Sequence, residues 1–277
     1  MAGVLIVCAS TFDIPVTHRT APSRAAARGQ GMAGDGEQHT ASEARAPEGA
    51  EGPVFGHPVD TAPAPRPRRE VLSGRFVDIV PFDVVRHASD LYTLSHGNDR
   101  EWQWAYLGVP PFESLKSFTS YYAVAAEKED PLLYAILDKA TGRAVGHATY
   151  LRIEPAHRVI EVGNILFTPA LQRRPGGTEA MYLMMKRAFE LGYRRYEWKC
   201  DALNEPSRAA AGRLGFTFEG VFRQAIVIKR RNRDTAWYSI LDSEWPRLDA
   251  AFRRWLDPAN FAADGTQKER LSVLSAR

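Results

Sequence analysis

Much of what would narrow this chain's function is missing from it. Two cysteines, Cys8 and Cys200, stand far apart and offer no metal-binding spacing, so a reduced compartment is the simpler assumption. The seven histidines are scattered without a His-x-x-x-His pair. No apolar run approaches the ~20 residues of a membrane-spanning helix. The Val4–Ala9 run lacks a basic flank and is too short for a secretory core. A cytoplasmic protein with no membrane partner is expected. The formal net charge of +3 is too small to argue by itself for nucleic acid or an anionic surface. No internal repeat is present. What remains, 44% hydrophobic and 25% charged residues, is the make-up of an ordinary soluble protein.

Residues 1–70 read as a disordered tail. Ala, Gly, Pro, Arg, Glu and Ser dominate, periodicity is absent, and Pro63-Ala64-Pro65-Arg66-Pro67 holds the backbone extended. Met32 allows residues 1–31 to be an over-long start. From Val71 the pattern changes. Gly74–Val80 alternates as a half-buried strand, and Asp83–Leu94 and Phe112–Lys128 read as helices. Between them an aromatic segment with Trp102, Trp104 and Tyr106 suits either a satellite hydrophobic cluster or a wall of a substrate cleft. Strands follow at Leu132–Leu137, Ala144–Ile153 and Val159–Phe167, then a long helix over Thr178–Leu191 and a strand over Arg195–Cys200. A short helix over Pro206–Leu214 comes next, with two strands at Phe216–Phe222 and Ala225–Leu241. Glu244–Trp255 closes the domain, and 257–277 reads as a loose tail. Three adjacent strands before the long helix favour antiparallel pairing, and the strand beyond that helix pairs parallel with its predecessor. The expected fold is an α/β (α+β) domain over 71–256, a mixed, mostly antiparallel sheet flanked by helices.

The most informative stretch runs from Leu166 to Met181. An apolar strand enters a turn of Gln172, Arg173, Arg174, Pro175, Gly176 and Gly177, and a helix with Thr178 as its expected N-cap follows. A helix opening on a glycine turn presents free N–H groups and the positive end of its dipole to an anion. Plain turn chemistry explains the same residues. No Gly-Lys-Ser/Thr closes the turn and no Gly-x-Gly-x-x-Gly is present, so a P-loop and a dinucleotide fingerprint are excluded.

Two stretches together carry a resemblance. Gln172-Arg173-Arg174-Pro175-Gly176-Gly177-Thr178-Glu179-Ala180 is similar to the Gln/Arg-x-x-Gly-x-Gly/Ala pyrophosphate loop of the GNAT superfamily of N-acetyltransferases. Asn204-Glu205-Pro206-Ser207 leading to Arg213-Leu214-Gly215-Phe216 resembles that superfamily's Asn-x-x-Ser segment and Leu-Gly-Phe turn. The likeness spans residues 72–255 and points to the RimJ/RimL-type branch, which includes ribosomal-protein N-terminal acetylases. One residue departs from the pattern: Pro175 replaces the usual first glycine and removes one N–H donor.

The resemblance implies acetyl-CoA as co-substrate and direct attack of an amine on the thioester. It implies cofactor contacts from Phe167, Gln172, Arg173, Arg174, Gly176, Gly177, Thr178, Asn204 and Ser207. Glu161 is the candidate base, although a strand carboxylate serves equally as an edge charge. Ser207 is the candidate proton donor to the departing thiolate, although a first-turn serine often only bonds backbone. Asn204 is expected to cap its helix or contact the pantetheine arm, and Asn164 to sit where the strand distorts. Trp102, Trp104, Tyr106 and Glu154 are acceptor-side candidates by position alone. The acceptor is a primary amine, either a protein N-terminus or a small molecule, and a homodimer is a possible assembly. A silent acyl-CoA-binding module is the alternative. The basic run Lys229–Arg233 reads as a charged hairpin connection, with RNA binding the lesser option.

Overall fold

The computed structural model describes residues 55–97 and 99–276. The alternative start at Met32 and residues 1–54 of the expected tail lie outside them. Residues 61–276 belong to one compact unit.

Eight strands form one sheet in the order β1-β2-β3-β4-β5-β6-β8-β7. They are β1 (Leu72–Ser73), β2 (Val77–Pro81), β3 (Leu132–Asp138), β4 (Ala144–Glu154), β5 (Val159–Phe167), β6 (Arg195–Asp201), β7 (Thr217–Ile228) and β8 (Arg231–Leu241). Every pairing is antiparallel except β5 with β6. That one parallel pair is required by the long helix α3 (Pro175–Glu190), which carries the chain back across the sheet between them. The mixed, mostly antiparallel sheet flanked by helices is the fold expected from the sequence.

Two apolar clusters cover the two faces. Helices α3, α4 (Glu205–Arg213) and α5 (Trp245–Leu256) place Ala180, Met184, Ala211, Leu248 and Phe252 against Ile160, Val162 and Trp198. Helices α1 (Val84–Ser95) and α2 (Leu115–Ala126) place Leu91, Phe118 and Tyr122 against Leu133, Ala135 and Leu166. Residues such as Leu248 and Phe252, four apart, share one helix face, and each fully buried side chain of this size stabilises by about 2 kcal/mol. Gly215 follows α4 at φ +92°, a conformation costly to residues with a Cβ, and a Cβ there would lie 2.5 Å from Leu248 Cδ2.

Several boundaries differ from the sequence reading. Order reaches back past Val71: Ala64 N donates to Pro155 O at 3.1 Å, and the buried Tyr134 hydroxyl donates to Arg68 O at 2.6 Å. Prolines hold this strap extended, so that it pairs with the domain through both an N–H and a carbonyl. At the other end, residues 257–276 are not loose. Leu271, at the start of α6 (Leu271–Leu274), is buried in the main core. The first of the two last strands does not stop at Phe222: β7 runs on to Ile228, bulged between Phe222 and Ile226 with Gln224 at φ 50°. The β7–β8 turn lies at Lys229 and Arg230, both in the left-handed region.

Candidate active site

The sheet opens at its centre. β5 and β6 are paired only from Val159–Val162 against Arg195–Trp198, and beyond that the strands carry no pairing with each other. At the same level the β4–β5 ladder slips: Thr149 faces Gly163, whereas His147 faces Leu166. Asn164 is the extra residue, at φ 48°, as the expected distortion near it anticipates. Thr149 locks the bulge, donating from Oγ1 to Gly163 O at 3.0 Å and accepting from Asn164 Nδ2 at 3.3 Å. A parted strand with a bulge leaves backbone N–H groups without ladder partners, which suits them to a developing negative charge.

The strand β5 runs directly into the basic turn and α3. Arg174, not Thr178, is the N-cap, and Pro175 occupies the first helical position. There proline needs no N–H and its φ is already helical, so the departure at Pro175 is compatible with the loop. A cavity of about 470 Å³ opens beside this helix end. Phe167, Gln172, Arg173, Arg174, Gly177 and Thr178 line it, whereas Gly176, Asn204 and Ser207 do not. Gly176 faces the sheet instead: a Cβ there would stand 2.8 Å from Val77 Cγ1. Its small size serves helix–sheet packing. Gln172 Nε2 donates to Phe167 O at 2.6 Å and ties the turn to the strand end.

Glu161 is fully buried on β5, three residues before Asn164. Lys199 Nζ lies 2.8 Å from its Oε2, 2.6 Å from Glu197 Oε2, and 3.8 Å from the Trp237 ring centroid. Arg152 Nε approaches Glu161 Oε2 at 3.5 Å. The parallel register Glu161↔Glu197 puts the two carboxylates side by side, and Lys199, two residues on, reaches back between them. Desolvation opposes charge on Glu197, but Lys199 and Arg195 win and hold its carboxyl below the usual range. Glu161 is therefore neither an isolated base nor an edge charge; it is part of a buried ion cluster. Asn204 caps α4, its Oδ1 accepting from Ser207 N at 3.1 Å. Ser207 is buried, and its Oγ accepts from Trp198 Nε1 at 3.1 Å.

A parted parallel pair, a bulge at the opening and a basic helix N-terminus follow one another on a single track of chain from β5 into α3. The model of the acetyltransferase (GNAT) domain matches residues 79–217. The chain belongs to the GNAT acetyltransferase family. A GCN5-related N-acetyltransferase from Brucella melitensis is 44% identical, with 78% of this chain and 98% of that one covered at a TM-score of 0.76. A chain from Chromobacterium violaceum described as a probable GNAT-family acetyltransferase is 40% identical over 71% of this chain and all of that one, at a TM-score of 0.65. The RimL ribosomal L7/L12 alpha-N-protein acetyltransferase shares the fold at 20% identity, with 62% of this chain and 94% of that one covered and a TM-score of 0.54. No curated protein matches. The chain is thus an N-acetyltransferase, of a family that transfers acetyl groups from acetyl-CoA.

In this GNAT chain the acceptor-side candidates divide. Trp104 is fully buried, its Nε1 donating to Ser95 O at 2.9 Å, and so belongs to the satellite cluster. Trp102 is half exposed, and Tyr106 donates to Leu203 O at 3.1 Å beside the α4 cap. Glu154 lies at the β4–β5 hairpin, away from the parted strand ends. In the basic run, Lys229 Nζ donates to Trp104 O at 2.6 Å, and burial lowers its pKa. That lysine pins the hairpin tip to the aromatic cluster. Among the described residues no group of three His, Cys, Asp or Glu could hold a metal ion, and no helix is long and apolar enough to cross a membrane. Sequence reasoning missed Lys199 and Glu197, whose alternation with Glu161 across a parallel pair was the available signal. It also missed Arg213, Trp255, Phe261 and 265–267 as cavity walls; only Arg213 lies in a stretch that carried the resemblance.

Proposed function

We propose that acetyl-CoA lies along this track, with its pyrophosphate at the α3 N-terminus and its thioester in the opening between β5 and β6, and that the acceptor is a primary amine. The observation that carries the reading is the parting of β5 from β6 next to the Asn164 bulge, at the strand end that leads into the basic turn. Phe167, Gln172, Arg173, Arg174, Gly177 and Thr178 supply the cofactor walls and donors. Gly176 contributes by letting α3 sit close to the sheet. Asn204 acts by fixing the start of α4.

The reaction joins the amine nitrogen to the acetyl carbon and breaks the carbon–sulfur bond, giving an amide and the free thiol. An amine of pKa ~8–10 is mostly protonated at neutral pH and must lose a proton to attack. Glu161 accepts that proton, through water where the acceptor stands off from the strand, and Lys199 and Glu197 hold its carboxylate in place. A backbone N–H of the bulged strand receives the oxyanion. Ser207 protonates the thiolate. Among acceptors, a protein N-terminus fits the RimJ/RimL-like motifs, and small amines are the competing class. Dependence on acetyl-CoA agrees with a cytoplasmic setting.

The test is release of CoA thiol by the full chain with acetyl-CoA and a panel of N-terminal peptides, polyamines and amino sugars. Glu161→Gln should bind acetyl-CoA as the parent does and lose at least ~100-fold in turnover, the lower range for a general base. A variant that turns over at the parental rate would remove Glu161 from the mechanism. Failure of every amine to release thiol would remove the acceptor class.

A further inference from the structure

We propose that the segment after α5, residues 257–267, together with Arg213 at the end of α4, is the receiving site for the 3′-phosphorylated adenosine end of coenzyme A, with Arg213 as the phosphate anchor. This rests on the cofactor reading above.

The cavity beside α3 has a wall from outside the matched family region, which ends at residue 217: Trp255, Phe261, Gly265, Thr266 and Gln267 all line it. That wall is built, not draped. Trp255 Nε1 donates to Gln267 Oε1 at 2.7 Å, and Phe261 stands edge-on to the Trp255 ring at 5.3 Å between centroids. Asn260 Nδ2 donates to Trp255 O at 2.9 Å, while its Oδ1 accepts from Glu269 N at 2.8 Å. Arg254 pairs with Glu269 at 2.6 Å, and Leu271 anchors the segment in the core. A tryptophan whose indole N–H is already fixed offers a flat face to a purine at little entropic cost.

Next to this wall stands Arg213, which also lines the cavity. Its guanidinium donates to the neutral Thr178 Oγ1 at 2.7 Å and lies 5.9 Å from the Trp255 ring centroid. No carboxylate pairs with it among the described residues, whereas Arg187, Arg195 and Arg254 each have one. Burial lowers its pKa, so charge at this position is maintained against desolvation. A half-buried guanidinium that lines a cavity and lacks an anion is suited to a phosphate, which it can bind through two parallel N–H donors. The helix N-terminus serves the pyrophosphate, and Arg213 then serves the second phosphate. About 470 Å³ is within the range of small-ligand sites.

The experiment is calorimetric titration of the full chain and two variants with CoA and with 3′-dephospho-CoA. The parent should prefer CoA by about tenfold, a difference of about 1.4 kcal/mol. In Arg213→Met that preference should collapse towards unity. Gln267→Glu keeps an acceptor for the Trp255 indole and adds a carboxylate to the wall; it should weaken CoA about fivefold or more and 3′-dephospho-CoA less. An unchanged preference in both variants would overturn the proposal. Equal losses for both ligands would also overturn it, moving Arg213 to the pyrophosphate. A parent that binds neither ligand would instead defeat the cofactor reading itself.

Discussion

Acid should destabilise this protein through His147. The ring is completely buried on β4, and its Nε2 lies 2.7 Å from the Tyr122 hydroxyl, an arrangement that suits a neutral imidazole accepting a hydrogen bond. Burial pushes its pKa down to about 3, only partly opposed by the Asn164 backbone. In the unfolded chain the value is about 6.5. Between these values the unfolded state binds a proton that the native state refuses. The resulting stability is complete above about pH 6.5, declines as pH falls, and is gone below about 3. Each unit is worth about 1.4 kcal/mol, so about 2 kcal/mol is lost by pH 5 and at most about 5 over the whole range. His87 and His96 are shifted in the same direction, also chiefly by burial, and add to the trend. Urea unfolding of the parent and of His147→Gln at pH 7.5 and pH 5 measures this. The variant is expected to be less stable at pH 7.5 but to lose about 2 kcal/mol less on acidification. Equal acid losses in both proteins would refute the assignment, as would native-state NMR showing the ring titrating near pH 6.

Two other substitutions test the framework. Glu179, in the first turns of α3, accepts from the backbone N–H groups of Arg75, Phe76 and Val77 at 2.7, 2.6 and 3.0 Å. Glu179→Ala strands these donors and should cost about 3 kcal/mol in denaturant unfolding, whereas a loss below about 1 kcal/mol would mean that water replaces the carboxylate. Thr149→Val keeps the shape of the side chain but removes the hydroxyl that holds the Asn164 bulge. It should cost about 1 kcal/mol in stability and lower kcat about tenfold with little change in the KM for acetyl-CoA, and an unchanged kcat would free the bulge from any role in the chemistry.

The parts legible in the sequence were those written in short-range patterns. The apolar run over Val159–Phe167, the helical spacing after Gly177 and the Asn204-to-Phe216 stretch each identify an element without reference to the rest of the chain. Helix limits were read less well. Thr178 resembles an N-cap by residue type, but Pro175 at the first helical position starts the turn earlier, because proline is favoured where no N–H is needed. The glycines of the turn suggested closeness to a ligand. For Gly176 the closeness is to Val77, a residue almost a hundred positions away, and no local pattern records such a contact.

By itself, then, the sequence determined the fold class, the one parallel strand pair, the family and the basic turn where the cofactor is proposed to bind, since all of these follow from local periodicity and contiguous motifs. Tertiary structure alone decided the rest. It brought Lys199 between Glu161 and Glu197, because a parallel register aligns residues that are far apart in the chain. It laid residues 257–267 along the cavity, because the burial of Leu271 and the Trp255–Gln267 hydrogen bond hold a segment that reads as polar and loose. Burial and long-range pairing set the charge state and surroundings of a side chain, and neither is encoded in its immediate neighbours.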